Sequence, residues 1–264
     1  MAKVTKIARL APMTTKGARS SNASLRDKVA SRLAKQILSG AYSQGALLPT
    51  EAQLGAEFKV SRTALREAVR TLAAKGLVES RQRAGTRVLS SEDWNRLDTD
   101  VLRWMGEIEP DLDFVRGLTE ARQILEPAAA EMAAKRATAR NLAAIEEAYD
   151  AMCAAKLTDL DACAVADVAF HVAILRASRN PVLANLGNVI GAALMNAFRL
   201  TTSASTNYRK TLAAHGEVFE AIRMRQPDVA RSRMQALLGI ATEDLMRIAD
   251  AGTSAPKRGG SRGA

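Results

Sequence analysis

Apolar residues recur at intervals of three and four along most of this chain, the spacing that places them on one face of an α-helix. The clearest run steps by four from Leu25 to Ile37 and predicts a first helix that ends at Gly40, followed by a turn. After Gly76 the interval changes to two, which is typical of a β-hairpin. The pattern predicts a mainly α-helical protein with one small hairpin.

Two short helices follow the first one. Thr50 and Gln53 form a capping-box pattern at the start of a helix whose Leu54 and Phe58 face inward. Ser61 is a second helix cap, reached after a connection of a few residues. Two helices joined by so short a turn are typical of a helix-turn-helix. The predicted core face of the second helix consists of Leu65, Ala68, Val69 and Leu72.

The second helix carries a row of arginines on its other face. Arg62, Arg66 and Arg70 are spaced by four and project to the same side. Guanidinium groups suit both phosphate oxygens and the major-groove edge of guanine, so the row indicates a DNA recognition helix. Taken alone, a solvent-exposed charged face gives the same pattern.

The predicted hairpin has strands near 77–80 and 86–89, and the residues between them are basic. Gly85 falls in the turn, and a basic tip of this kind can reach a neighbouring groove or the backbone of DNA. Helices and hairpin together predict an N-terminal winged helix-turn-helix, made of three helices plus a small β-hairpin.

The charge of the chain is concentrated in its first third. Residues 1–90 contain 17 Lys and Arg against 5 Asp and Glu, whereas the remaining 174 residues contain 21 against 23. One domain that meets a polyanion and a second, near-neutral domain explain this division. A basic protein that packages DNA without sequence preference is an alternative, but it would not need a large neutral domain.

The second part of the chain is predicted to be an antiparallel helical bundle with an interior pocket. Its breaks occur at prolines and at stretches rich in Thr, Ser and Asn. The predicted helices lie near 111–136, 140–156, 159–178, 181–201, 205–225 and 227–250.

The only two histidines of the chain lie in this bundle. Asp167 and His171 are four residues apart on its third helix, and His215 starts an apolar pattern on its fifth helix. One carboxylate and two imidazoles can bind a divalent metal with open coordination positions, zinc foremost, with nickel or manganese as alternatives. Core histidines satisfied by hydrogen bonds are the competing interpretation.

The N-terminal motifs resemble the winged helix-turn-helix of the GntR family of transcriptional regulators. The resemblance rests on 49–51, 60–68, 72–78 and 85–86, and it implies DNA contacts from Ser61, Arg62, Thr63 and Arg66, with Gly85 at the wing tip. Many relatives have an arginine where this chain has Ala52, so the operator sequence is not implied.

The bundle resembles the FCD domain, the ligand-binding half of the FadR-type branch of that family. The resemblance implies metal ligands at Asp167, His171 and His215, and an effector-binding Arg122, with Arg199 as a weaker candidate. A glutamate within the bundle is the alternative partner of Arg122. Many members have a further histidine on the last helix, near the place of Leu237 in this chain.

Within the family, the segment 97–104 and the missing last-helix histidine are similar to those of galactonate-operon regulators. A sugar acid such as galactonate is therefore the expected effector. The expected protein is a homodimeric repressor that binds double-stranded DNA and is released by a small carboxylate.

We expect four segments: a disordered basic tail over 1–23, the winged helix-turn-helix over 24–90, the ligand-sensing domain over 91–251 and a disordered tail over 252–264. No apolar run is long enough to span a membrane, and the first residues lack a secretory signal, so a cytoplasmic location is expected. A metal-dependent hydrolase is the main alternative, but the chain has no phosphate-binding loop and no nucleophile elbow.

Overall fold

The structure is a computed structural model. It describes residues 21–81, 84–202 and 208–253, with side chains for 25–81, 84–195, 211–243 and 245–247. The predicted mainly α-helical fold, with a winged helix-turn-helix and a helical bundle, is confirmed. Ten helices and two strands are described: α1 Ser21–Leu38, α2 Glu51–Phe58, α3 Arg62–Ala74, β1 Val78–Arg81, β2 Gly85–Val88, α4 Thr99–Met105, α5 Leu112–Arg136, α6 Ala139–Ala154, α7 Leu160–Ala177, α8 Pro181–Thr202, α9 Tyr208–Arg223 and α10 Pro227–Thr253. The two tails predicted to be disordered lie largely outside the described residues.

The first core forms where α3 packs against α1, α2 and the first strand of the hairpin. The stripe predicted on α1 is buried from Val29 to Ile37, whereas Leu25, at the start of the stripe, is exposed. Phe58 of α2 is half-buried, and the guanidinium carbon of Arg32 lies 4.9 Å from the centroid of its ring. The predicted inner face of α3 is buried along its whole length.

The hairpin has a third backbone segment beside it that the sequence pattern did not predict. The amide of Leu48 donates a hydrogen bond to the carbonyl of Thr86 at 2.8 Å, and the amide of Val88 donates one to the carbonyl of Ala46 at 2.9 Å. Residues 45–48 therefore run antiparallel to β2, where only a turn was expected. A segment this short is too brief to show a two-residue period.

The second core is the helical bundle, and its helices begin and end within a few residues of the predicted bounds. Helix α5 packs against α7, α9 and α10, while α6 and α8 pack on the outer sides of α7. His215 lies in the middle of α9, which runs from Tyr208 to Arg223. Among the described residues, no helix is both long and apolar enough to span a membrane.

The short helix α4 belongs to both cores. Val101, Trp104 and Met105 are buried with the winged helix-turn-helix, whereas Leu102 is buried with the bundle. Asp98 caps this helix, since its Oδ1 accepts hydrogen bonds from two α4 amides. Helix α4 consequently fastens the DNA-binding part of the chain to the bundle.

Candidate DNA-binding surface and effector site

Helices α2 and α3 start at the caps that the sequence predicts. Oγ1 of Thr50 accepts a hydrogen bond from the Gln53 amide at 3.3 Å, and the Gln53 side chain accepts one from the Thr50 amide at 2.9 Å. Oγ of Ser61 accepts a hydrogen bond from the Ala64 amide at 3.2 Å. Between the helices, Lys59 adopts a φ of 53°, which turns the chain sharply. The helix-turn-helix geometry is thus fixed by local hydrogen bonds.

The outer face of α3 is exposed at the predicted DNA contacts Arg62, Thr63, Arg66 and Arg70. Nε of Arg66 lies 3.0 Å from both carboxylate oxygens of Glu51, and a guanidinium nitrogen of Arg70 lies 2.6 Å from Glu67. Exposed ion pairs of this kind contribute only about 0–1 kcal/mol. Exchanging these carboxylates for DNA phosphates is therefore inexpensive, and the arginine row remains available.

The wing is the two-stranded hairpin, in which Val78 pairs with Val88 and Arg81 pairs with Gly85. Gly85 has a φ of +87°, a value that glycine adopts without the strain of a side chain. It is exposed at the end of the hairpin, where the resemblance puts the wing tip. The tip residues Gln82 and Arg83 lie outside the described residues.

Asp167 and His171 of α7 meet His215 of α9 inside the bundle. The Nε2 atoms of the two histidines are 3.3 Å apart, and Oδ1 of Asp167 is 3.2 Å from Nε2 of His215. One candidate ligand atom from each residue lies within 4.8 Å of the others. Both histidines are only 3% exposed, so this cluster is shielded from solvent.

The second ring nitrogen of each histidine faces an oxygen atom. Nδ1 of His215 is 2.6 Å from the backbone carbonyl of Thr211, one turn earlier in α9. Nδ1 of His171 is 2.7 Å from Oε2 of Glu126 on α5, although it is not aligned as a good hydrogen-bond donor. A neutral imidazole that is protonated at Nδ1 has a free lone pair on Nε2. Both histidines therefore offer Nε2 lone pairs to the same point as the Asp167 carboxylate.

This arrangement fits a divalent metal ion. Three electron-rich atoms that converge in a buried place repel one another unless a cation lies between them. Around zinc, with ligands at about 2.0–2.1 Å in a tetrahedron, neighbouring donor atoms are about 3.3 Å apart. The separation of the two Nε2 atoms, 3.3 Å, and that of Oδ1 of Asp167 from Nε2 of His215, 3.2 Å, have this length, whereas the other oxygen of Asp167, Oδ2, lies 3.9 Å from Nε2 of His171. Three protein ligands also leave coordination positions open.

Charged neighbours keep the carboxylate of Asp167 and that of the adjacent Glu126 ionised. Burial raises the pKa of Asp167, but the hydrogen bond that a proton on Nε2 of His215 donates to it, together with the charges of the two histidines and Arg122, lowers it below the ordinary value. A metal bound at Nε2 would take the place of that proton. Burial likewise raises the pKa of Glu126, whereas Arg122 and His171 outweigh that effect and lower it to about 2. Both groups are carboxylates at neutral pH, as metal and cation binding require.

Arg122 lies next to this cluster and forms a buried ion pair. Its Nε donates a hydrogen bond to Oε1 of Glu126 at 2.6 Å, and another guanidinium nitrogen is 3.5 Å from Oε2. Arg122 is 7% exposed and Glu126 is 1% exposed. A guanidinium has five N–H donors, of which these contacts use two. Arg122 therefore forms the ion pair with a glutamate of the bundle that was the alternative prediction, and its remaining N–H groups are able to bind an anion.

Two residues of the site were missed from the sequence. Glu126 was open to prediction, because it stands four residues after Arg122 and so lies on the same face of α5. Thr211 contributes a backbone carbonyl, for which a sequence has no side-chain signal. Thr211 accepts the hydrogen bond of His215 Nδ1, and Glu126 lies within 2.7 Å of His171 Nδ1, so in both histidines Nε2 faces the cluster.

Two other positions singled out in the sequence add no observed contact to this site. The Arg199 side chain lies outside the described residues, so its role as a second effector contact stays a prediction. Leu237 is buried in the bundle core and offers no ligand atom.

Comparison with known proteins agrees with both parts of this description. Residues 25–88 match the profile of the bacterial regulatory proteins of the gntR family, and residues 117–239 match the FCD domain. The galactonate operon transcriptional repressor of Escherichia coli K12 is 38% identical to the chain, covering 84% of it and 97% of the repressor. The HTH-type transcriptional regulator YieP of the same organism is 36% identical, covering 80% and 90%. Among solved structures, Lar of Listeria monocytogenes has the same fold, with a TM-score of 0.59, 21% identity and coverage of 84% and 97%.

Proposed function

Since the chain belongs to the gntR family of bacterial regulatory proteins and carries an FCD domain, we propose that it represses transcription by binding an operator as a homodimer, and that a small carboxylate effector releases it. Its relatives are transcriptional regulators and not enzymes, so the hydrolase alternative is dismissed. A sugar acid such as galactonate is the proposed effector, because the E. coli relative is the repressor of a galactonate operon.

The buried cluster of Asp167, His171 and His215 beside Arg122 is the observation that carries the effector proposal. A divalent metal held by these three ligands would supply open coordination positions for the carboxylate and hydroxyl oxygens of a sugar acid. Arg122 can donate its remaining N–H groups to the same carboxylate. Glu126 holds Arg122 and faces His171, and in this way it orients both sides of the site.

The DNA-binding proposal uses the exposed face of α3 and the wing, with contacts from Ser61, Arg62, Thr63, Arg66, Arg70 and Gly85. Ser61 caps α3 through its hydroxyl group, so its contact with a phosphate would come from the exposed N-terminus of the helix. One recognition helix reads few base pairs, and a two-fold dimer doubles the recognised site. An inverted repeat with matching half-sites is the expected operator.

The sign of regulation follows from linkage. An effector that prefers a dimer geometry in which the recognition helices no longer match successive grooves must lower operator affinity. By the same reciprocity, operator DNA must lower the affinity for the effector by an equal factor.

Operator binding is tested by fluorescence anisotropy with the inverted repeat and with a scrambled duplex. Arg62→Ala or Arg66→Ala should cost on the order of 1–3 kcal/mol at the operator if the side chain reads a base. Arg103→Ala, an exposed arginine of α4, is the control that should leave operator affinity unchanged. Unchanged affinity in both recognition-helix variants would contradict the DNA assignment, and an equal loss on both duplexes would indicate nonspecific binding.

The metal and the effector are tested separately. Elemental analysis of protein purified without chelator should find a divalent metal that His171→Ala lacks, and equal metal in both proteins would refute the site. Galactonate should then dissociate the operator complex, whereas lactate tests whether any hydroxy acid suffices. Arg122→Ala should weaken that response, while Arg116→Ala, at an exposed position of the same helix, should not.

A further inference from the structure

The segment between the wing and α4, residues 89–98, is held by ion pairs at both of its sides; we call it the linker. On the DNA side it is held by Lys75, the residue that ends α3. Nζ of Lys75 lies 2.6 Å from Oδ1 of Asp98 and 2.9 Å from Oδ2 of Asp100, and its side chain is 12% exposed. The carbonyl of Lys75 also accepts a hydrogen bond from the Asn95 amide at 3.0 Å. The C-terminal end of the recognition helix is therefore joined to the linker and to the first turn of α4.

On the bundle side, the linker is held by Arg96. A guanidinium nitrogen of Arg96 lies 2.6 Å from Oδ2 of Asp111, the cap of α5. The guanidinium carbon is 5.6 Å from the ring centroid of Trp94 and 6.0 Å from that of Phe114. The contact borders a cavity of about 180 Å³, which gives its side chains room to shift.

Helix α5 connects this contact to the effector site. Asp111 caps its first turn, and Arg122 follows on the same helix, before the internal proline Pro127. At about 1.5 Å of rise per residue, Arg122 lies roughly 16 Å from the cap along the helix axis. A displacement of α5 caused at Arg122 must therefore move Asp111, because an α-helix resists local stretching.

We propose that the ion pair between Arg96 and Asp111 couples effector binding on α5 to the orientation of the recognition helix, with Lys75 holding the linker to α3. Arg96 and Lys75 are positioning residues, since neither is among the proposed DNA or effector contacts. This inference rests on the proposed function. Helix α4 is a second connection between the winged helix-turn-helix and the bundle, because it is buried in both cores. Loss of the ion pair should therefore reduce the effect of the effector on operator affinity without unfolding the protein.

Conservative variants of the full-length protein separate these roles. We call the ion pair between Arg96 and Asp111 the clamp. Arg96→Gln removes its positive charge, and Asp111→Asn removes its negative charge while asparagine still caps α5. Arg96→Lys restores a cation at the same position. Arg116→Gln is the matched control, because Arg116 pairs with Asp113 on the same turn of α5 but is exposed.

The quantity to measure is the ratio of operator Kd with saturating galactonate to operator Kd without it. Arg96→Gln and Asp111→Asn should lower this ratio by about fivefold or more, within the range of allosteric couplings. Operator Kd without galactonate, and galactonate Kd without DNA, should each stay within about twofold of the wild type. Arg96→Lys should recover part of the ratio, and Arg116→Gln should leave it unchanged.

A second measurement does not depend on the effector. The chain has two tryptophans, and both report on this joint: Trp94 lies beside Arg96, and Trp104 lies beside Lys75. Urea unfolding followed by tryptophan emission and by far-UV circular dichroism should coincide in the wild type. In Arg96→Gln the tryptophan transition should occur at a lower urea concentration than the helix transition.

The outcomes distinguish the clamp from the proposed function. A ratio in Arg96→Gln within twofold of the wild type, or a loss of DNA or effector affinity by itself, overturns the coupling role. If galactonate leaves operator binding by the wild type unchanged, the proposed effector is wrong, and the urea experiment decides the clamp: separate transitions in Arg96→Gln support it and coincident ones overturn it.

Discussion

Replacing Lys75 by methionine tests how strongly the joint between α3 and α4 is held. Methionine keeps most of the apolar stem of the side chain and removes the ammonium group that contacts Asp98 and Asp100. It also removes a cation 5.7 Å from the ring centroid of Trp104. The backbone hydrogen bond of Lys75 to the linker is unaffected, so the change isolates the charge.

The loss of stability expected for Lys75→Met lies between two limits. An exposed ion pair contributes about 0–1 kcal/mol, and breaking a fully buried one costs about 3–5 kcal/mol because it leaves an uncompensated charge. Lys75 is mostly buried, but Asp98 keeps hydrogen bonds from two α4 amides and Asp100 keeps Arg103 at 2.8 Å. Neither carboxylate is orphaned, so we expect Lys75→Met to lower the free energy of unfolding by about 1–3 kcal/mol.

Urea unfolding at neutral pH measures this loss, and Arg103→Met, which removes an exposed partner of the same cluster, should cost less than about 0.5 kcal/mol. Burial raises the pKa of Asp98, but the hydrogen bonds from Lys75 and α4 lower it below 3.8. The stabilisation of the folded protein by ionised Asp98 is therefore present above pH 4 and is lost as the pH falls through the lowered pKa. A Lys75→Met loss that is below 0.5 kcal/mol, or that stays constant down to pH 2, would refute the argument.

Three further substitutions test local geometry by the same unfolding assay. Gly76→Ala should cost more than about 2 kcal/mol, because Gly76 has a φ of 72° and a Cβ would lie 2.2 Å from the carbonyl oxygen of Asp93; a neutral result would exclude that close approach. Gly216→Ala should change the free energy of unfolding by less than about 1 kcal/mol, since the Cβ would lie 2.5 Å from the hydroxyl at the end of the Tyr149 side chain, while alanine gains about 0.5–1 kcal/mol over glycine inside a helix; Tyr149→Phe should make the substitution more favourable. Arg225→Met should cost about 1–2 kcal/mol, because it leaves two backbone carbonyls at the C-terminal end of α5 without their donor; the loss of a surface charge alone would cost much less.

Local signals predicted the elements well. The caps Thr50 and Ser61 are both used as the sequence indicates, since each is a side chain placed next to the amides that it satisfies. The arginine row of α3 is exposed for the same reason, because helical spacing alone decides which face a residue occupies. The bounds of the bundle helices follow from prolines, as in α8 and α10, and from capping side chains such as Thr138 and Asp159, whose effects are also local.

Contacts between distant parts of the chain were not predictable in this way. Lys75 and Asp98 are 23 residues apart, and Arg96 and Asp111 are 15 residues apart. Each looks like an ordinary surface charge in the sequence, and only the packing of α4 against both cores brings the partners together. Helix α4 was not among the predicted helices, because seven residues are too few to show a clear helical spacing of apolar positions.

The buried pair of Arg122 and Glu126 is poorly explained by stability. Replacing a buried ion pair by apolar side chains of similar volume is often neutral or stabilising, so a bundle selected only for folding would not need it. The pair nevertheless faces His171, whose other nitrogen belongs to the cluster with Asp167. A carboxylate behind a ligand histidine fixes the ring orientation and raises its basicity. The pair therefore fits the proposed sensing site better than a purely structural role, because Glu126 lies behind His171, a proposed metal ligand, and Arg122 lies beside the proposed effector position.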